Sequence, residues 1–244
     1  MQPTSIDELI VALGQQLRFD IERIHQSDGS EAAAGAVQRL DAVAEHAPAF
    51  IALLAEPWLR AGISDRERML LIDCARIHLY ARVLDDAIDE AAPVHRQNLL
   101  RAQPLFWQAV QSIGSLVSPA LADAAVALIN ETVAAVQSDD QQRNPDCWGA
   151  KNHHLLLIPL LLSGDSLAYR QCRPGLSTLI ALVQAGDEWR QGEFDSAPLQ
   201  SRFLELLTAG LDVRQLELLN IHGWQGAAER IVWNARQLLE SLSR

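Results

Sequence analysis

Residues 64–90 read SDRERMLLIDCARIHLYARVLDDAIDE, and the fold class follows from this stretch. It opens on Ser64-Asp65-Arg66-Glu67, a capping box in which the Ser64 hydroxyl and the Glu67 carboxylate satisfy the first free N–H groups of a helix. No glycine or proline interrupts the stretch before Pro93, and the chain ahead of a proline leaves helical geometry. The spacing predicts one helix over 64–90, about 40 Å long at 1.5 Å per residue. Helices of that length usually cross a whole domain.

The end of this helix is acidic. At 100° per residue, Asp85, Asp89 and Asp86 fall at about 0°, 40° and 100°, within one arc. Arg82 and His78 lie in the same arc one and two turns earlier, and Cys74, Ala75 and Leu71 continue it. A merely solvated helix would keep its polar face polar along its length. Carboxylates at a helix C-terminus also oppose the macrodipole, and like charges four residues apart repel. A bound cation reverses both effects. Taken alone, this cluster has a plainer reading as a solvated acidic helix end.

A second stretch repeats the pattern. In LVQAGDEWRQGEFD, residues 182–195, Gln191, Gln184, Asp195 and Glu188 lie about 40°, 60°, 80° and 100° from Asp187. The helix is expected to start after Pro174-Gly175 and to run to about Asp195. Towards its N-terminus the arc reaches Ile180 and Leu176, with Ser177 beside them. Hard divalent cations take oxygen ligands, and Mg²⁺ typically combines one or two carboxylates with water and substrate phosphate. Two such ends would hold Mg²⁺, with Mn²⁺ as the alternative, around a diphosphate. The apolar continuations would line a slot for a hydrocarbon tail.

Around these two stretches, helical period recurs almost everywhere and strand-like alternation almost nowhere. Between the turn signals we read roughly ten helices joined by short loops, with no linker, and expect one all-α domain over 1–244. Ala and Leu, both strong helix formers, carry much of a hydrophobic fraction of 49%. A net charge of −11 repels phosphate backbones, so nucleic-acid binding is a poor expectation. Cys74, Cys147 and Cys172 show no metal-ligand spacing and read as reduced, mostly buried thiols. The N-terminal residues carry acids where a signal peptide has a basic start. The apolar run 155–162 is too short to span a bilayer and contains Pro159. The expectation is a cytoplasmic protein with no membrane span.

With these residues in view, the sequence resembles the class I isoprenoid synthases: prenyl diphosphate synthases, class I terpene synthases and the squalene/phytoene synthases. Asp85-Asp86-Ala87-Ile88-Asp89 is similar to their first aspartate-rich motif, and the preceding YARVL and following Glu90 look like it as well. The resemblance implies a helical bundle with a central substrate cavity. It assigns Asp85, Asp86 and Asp89 to Mg²⁺, with Asp85 and Asp89 as direct ligands. Gln184 to Glu188 resembles the core of a prenyl synthase's second motif, with Glu188 for its second Asp and Gln191 for its last acid. Alternatively, Asp187, Gln191 and Asp195, spaced four and four, resemble the terpene synthase metal triad. Lys151, the only lysine, lies where prenyl synthases carry a lysine on the substrate diphosphate, and a compact ammonium suits that contact. Its plainer reading is a surface lysine. Arg82, Arg143, Gln184 and Arg190 are further candidates for the diphosphate.

Chain-elongating relatives carry a Gly-Gly-Lys-Arg segment and an Arg-Arg-Gly that are absent here; Arg96 and Arg101 are a loose echo of the latter. The resemblance therefore implies ionisation of a single allylic prenyl diphosphate with release of pyrophosphate, as in a terpene synthase or cyclase. A chain-elongating or head-to-head synthase is the alternative within the superfamily. A weakly active or inactive partner subunit is the alternative outside it, and a homodimer is compatible with all three. His153 and His154 are adjacent, about 100° apart on a helix, and do not form a chelating pair. Trp189 is expected in the core, and Trp107 and Trp148 are candidates to face a carbocation.

Overall fold

A computed structural model describes residues 5–26, 33–89, 93–142, 145–190, 197–209 and 213–242. Among them the chain is all-helical, without strands: α1 Ile6–Gln26, α2 Ala33–Leu54, α3 Glu56–Ala61, α4 Asp65–Asp89, α5 Pro93–Leu116, α6 Pro119–Gln142, a 3₁₀ turn Pro145–Cys147, α7 Trp148–Lys151, α8 His153–Leu162, α9 Ser166–Arg190, α10 Ala197–Ala209, α11 Val213–Ile221 and α12 Gln225–Leu242. The sequence reads as one domain, while the packing falls into two compact units, Met1–Ala122 and Asp123–Arg244.

The first unit is organised on α4, which packs against α5, α2 and α1. The capping box forms as its residues predict. Glu67 N donates to Ser64 Oγ at 3.2 Å, and Ser64 N donates to Glu67 Oε2 at 2.8 Å. Leu9, Leu13, Leu17 and Ile21 of α1 recur every fourth residue and are buried together. On α4, every residue from Leu70 to Leu79 is buried. Water cannot solvate the polar members of that run, so they need partners inside the protein. Arg76 Nε donates to Asp20 Oδ2 at 2.8 Å and its NH1 donates to Asp73 Oδ1 at 2.8 Å. Gln16 donates to the other oxygen of Asp20, and the exposed Arg23 guanidinium lies 4.0 Å from it. The triad ties α1 to α4. Burial raises the Asp73 carboxyl above its ordinary value of 3.8, outweighing the Ser112 hydroxyl and Arg76, which pull it down, and adding to repulsion from Asp20.

In the second unit α9 is central, with α7, α8, α10, α11 and α12 against it. It starts eight residues before the Pro174-Gly175 signal, because Asp165 caps it: Ala168 N donates to Asp165 Oδ1 at 2.9 Å. Pro174 lies inside the helix. Gly175 admits α11 closely, since a Cβ there would stand 3.0 Å from Leu219 Cδ1. The apolar run of α8 is a core helix, buried from Leu157 to Leu162.

Segment Pro119–Asp139 of α6 has a mean hydropathy of 1.4 and is, by length and composition, the one described helix apolar enough to cross a bilayer. It contains Asp123 and Glu131, and Glu131 accepts from Arg173 at 2.5 Å. Cys74, Cys147 and Cys172 are free thiols, with Cys74 and Cys172 buried as expected and Cys147 half-buried.

Arg76→Met leaves two buried carboxylates without their cation and is expected to cost about 3–5 kcal/mol in urea unfolding, whereas replacing all three charges by apolar side chains costs far less. A loss below about 1 kcal/mol would show that the triad is not buried in solution. A carboxyl raised in the folded state contributes most below its unfolded value and loses that contribution as pH rises through its folded value. Asp73→Asn should therefore gain stability relative to wild type as pH rises above the ordinary carboxylate range of about 4. A pH-independent difference between the two proteins would contradict this.

Candidate functional site

The first acidic end is the last turn of α4. Asp85 and Asp86 are half-buried there, on backbone whose unpaired carbonyls form the negative end of the helix dipole. Asp85 Oδ2 accepts from Arg82 NH1 at 3.0 Å, one turn back. Asp89 ends the helix, and its side chain lies outside the described residues. Further down the arc, His78 is buried against Phe50 with ring centroids 6.2 Å apart. Leu71 and Ala75 have no exposed surface. The apolar continuation is therefore packed against protein and lines no open slot.

The second end is the last turns of α9. Asp187 Oδ1 accepts from Arg190 NH1 at 2.6 Å. Gln184 Nε2 donates to Glu188 Oε1 at 2.7 Å, and Gln184 Oε1 accepts from Asn152 Nδ2 at 2.8 Å. Gln184 and Glu188 thus share one hydrogen-bonded chain with a residue that the sequence did not single out. Gln191 and Asp195 lie outside the described residues, as does Arg143. Ile180 and Leu176, the apolar part of this arc, are buried core.

Lys151, at the end of α7, is half-buried and not on the open surface. Its Nζ lies 2.9 Å from Asp139 Oδ2, a carboxylate buried near the end of α6. The short α7 is pressed onto α9, where a Cβ on Gly149 would stand 2.9 Å from the Ser177 backbone oxygen. That approach brings Asn152 to Gln184 on the polar side of α9. The lysine and Asp139 lie on different helices, α7 and α6, and only the turn between them brings the two together, so the contact is not legible in the sequence.

The donors at both ends are carboxylate and amide oxygens, partly exposed, which is the set Mg²⁺ prefers. The chemistry of these residues fits such a cation. Among the described residues no three or more His, Cys, Asp or Glu side chains converge closely enough to hold a metal ion. Each acidic end instead carries an arginine one turn from its aspartate. Of the aromatic candidates, Trp148 is buried, Trp107 is exposed on α5, and Trp189 is half-buried where a core position was expected. The side chains of His153 and His154 lie outside the described residues. Compared with protein-family models, with curated protein sequences and with solved structures, the chain finds no match.

Gly149→Ala should push α7 from α9 and cost about 1–3 kcal/mol, as overpacking against a rigid backbone does. Urea unfolding measures it, and an unchanged midpoint would mean that α7 does not sit this close.

Proposed function

We propose that the chain is a single-domain class I isoprenoid synthase-like bundle, cytoplasmic, that ionises an allylic prenyl diphosphate and releases pyrophosphate, as a terpene synthase or cyclase. The observation that carries this reading is the Asp85-Asp86-Ala87-Ile88-Asp89 motif in the last turn of the 25-residue α4. Three acids there oppose a helix dipole, and a divalent cation relieves the conflict. Mg²⁺ would be held by Asp85, Asp86 and Asp89, with Asp187, Glu188, Gln191 and Asp195 as further ligands, and would neutralise charge on the leaving diphosphate. Mn²⁺ could take the same role.

The chain's own residues have work to do in this scheme. Asp85 would exchange Arg82 for the cation, which frees a guanidinium one turn away to donate to phosphate oxygens. Asp187 and Arg190 would make the same exchange. Lys151 would turn from Asp139 towards the diphosphate, with Gln184 and Arg143 as further donors. The packed arc below each end, Leu71 and Ala75 on α4 and Ile180 and Leu176 on α9, would have to loosen to admit a hydrocarbon tail, and such apolar surroundings would keep water from the cation.

A second reading is favoured by the packed walls and by the ion pair that already occupies Lys151. In that reading the chain is a weakly active partner subunit of another synthase. Incubating the purified protein with ten-, fifteen- and twenty-carbon prenyl diphosphates, with and without isopentenyl diphosphate, separates the readings. Pyrophosphate release by the protein alone excludes the partner-subunit reading, and consumption of isopentenyl diphosphate replaces the cyclase with chain elongation.

Asp85→Ala combined with Asp89→Ala should lower pyrophosphate release at least about 100-fold with helix content unchanged; undiminished release would sink the metal assignment. Lys151→Ala should weaken diphosphate binding more than Lys151→Arg does, and equal effects would return Lys151 to a structural ion pair.

A further inference from the structure

The last helix presents a face that is largely exposed. On α12, Gln225, Glu229, Val232, Trp233, Arg236 and Glu240 fall within about 100° of arc. Trp233 is 62% exposed, an unusual place for the largest apolar side chain. Glu229, Val232, Trp233 and Arg236 form one wall of an open groove of about 330 Å³, whose other walls include Leu182 of α9 and Leu216 of α11. Leu216 on its rim is itself 40% exposed.

The charges on this face are ordered. Glu229 and Arg236 are two turns apart, about 10.5 Å along the axis. Glu229 Oε1 accepts from Gln225 at 2.8 Å, one turn back, leaving its other oxygen open, and among the described residues Arg236 makes no ion pair. Turn a second copy of α12 antiparallel about an axis between residues 232 and 233. Glu229 then lies opposite Arg236 and Gln225 opposite Glu240, each pairing occurring twice, while Trp233 adjoins the other copy's Trp233 along one edge of the face. A two-fold interface requires such a self-complementary patch, and opposite charges flanking an aromatic centre supply register as well as attraction.

We propose that α12 is a homodimer surface, with two copies of this chain packed antiparallel and the two Trp233 side chains set against each other beside the axis. The inference does not rest on the prenyl diphosphate reading. At 18 residues the face is about 27 Å long. That is short for the ~800 Å² per partner of a stable complex, so the dimer dissociates on dilution.

Sedimentation of the full chain from about 1 to about 100 μM tests this. The expected result is a concentration-dependent dimer. Arg236→Glu and Glu229→Arg should each weaken it at least about tenfold, because every reversal is felt twice across the axis. The double swap Glu229→Arg with Arg236→Glu should restore it, and Trp233→Ala should weaken it with helix content unchanged. These side chains are exposed, so circular dichroism keeps misfolding apart from dissociation. A monomer throughout the range, a dimer indifferent to Arg236→Glu and Trp233→Ala, or failure of the double swap to restore association would each overturn the proposal.

Discussion

Burial of α4 on all sides from Leu70 to Leu79 is the constraint on which the first unit depends. A helix so enclosed cannot leave a polar group to water, so Asp73 and Arg76 must be satisfied within the protein. Arg76 spans Asp73 on its own helix and Asp20 on α1, which fixes how α1 lies along α4. Two carboxylates share one buried guanidinium, and burial lifts Asp73. The arrangement costs desolvation and is weak as a source of stability, yet breaking it is expensive. What it holds in place is the long helix whose far end carries Asp85, Asp86 and Asp89.

The two acidic ends share a local design. At the end of α4 the arginine precedes its aspartate by three residues, and at the end of α9 it follows by three. Both pairs are partly exposed, where an ion pair contributes little. A divalent cation competes readily with a partner held so weakly. Lys151 differs, because its partner Asp139 is buried and would be left without a cation if the lysine turned away. On energetic grounds the arginines are the easier groups to recruit to a phosphate, and the lysine the harder one.

Much of α4 is legible in the sequence, because its signals are local. Ser64 and Glu67 set its start, the absence of Gly and Pro let it run, and the bounds agree within a residue. For α9 the Pro174-Gly175 pair suggested a boundary, but Asp165 behind Gly164 offers a stronger cap, and the helix passes through the proline. Both apolar arcs are legible in the sequence, but their exposure depends on neighbouring helices, and Leu71, Ala75, Leu176 and Ile180 are packed core. The partners of the polar groups were least legible. Asp20 with Arg76 and Asn152 with Gln184 join residues far apart in sequence, Asp139 with Lys151 joins two successive helical segments across a turn, and only helix packing brings each pair together. A signal did exist for the first of these: Asp73 and Arg76 lie within the apolar run of residues 70–79, where an unpaired charge would be prohibitive.

The account turns on whether the end of α4 takes a divalent cation together with a diphosphate. Calorimetric titration of the protein with an unreactive fifteen-carbon prenyl thiodiphosphate, with Mg²⁺ and then with excess chelator, addresses this without requiring turnover. The account predicts binding that needs Mg²⁺ and disappears on chelation. Binding of equal strength with and without Mg²⁺, or no binding in either condition, would contradict it.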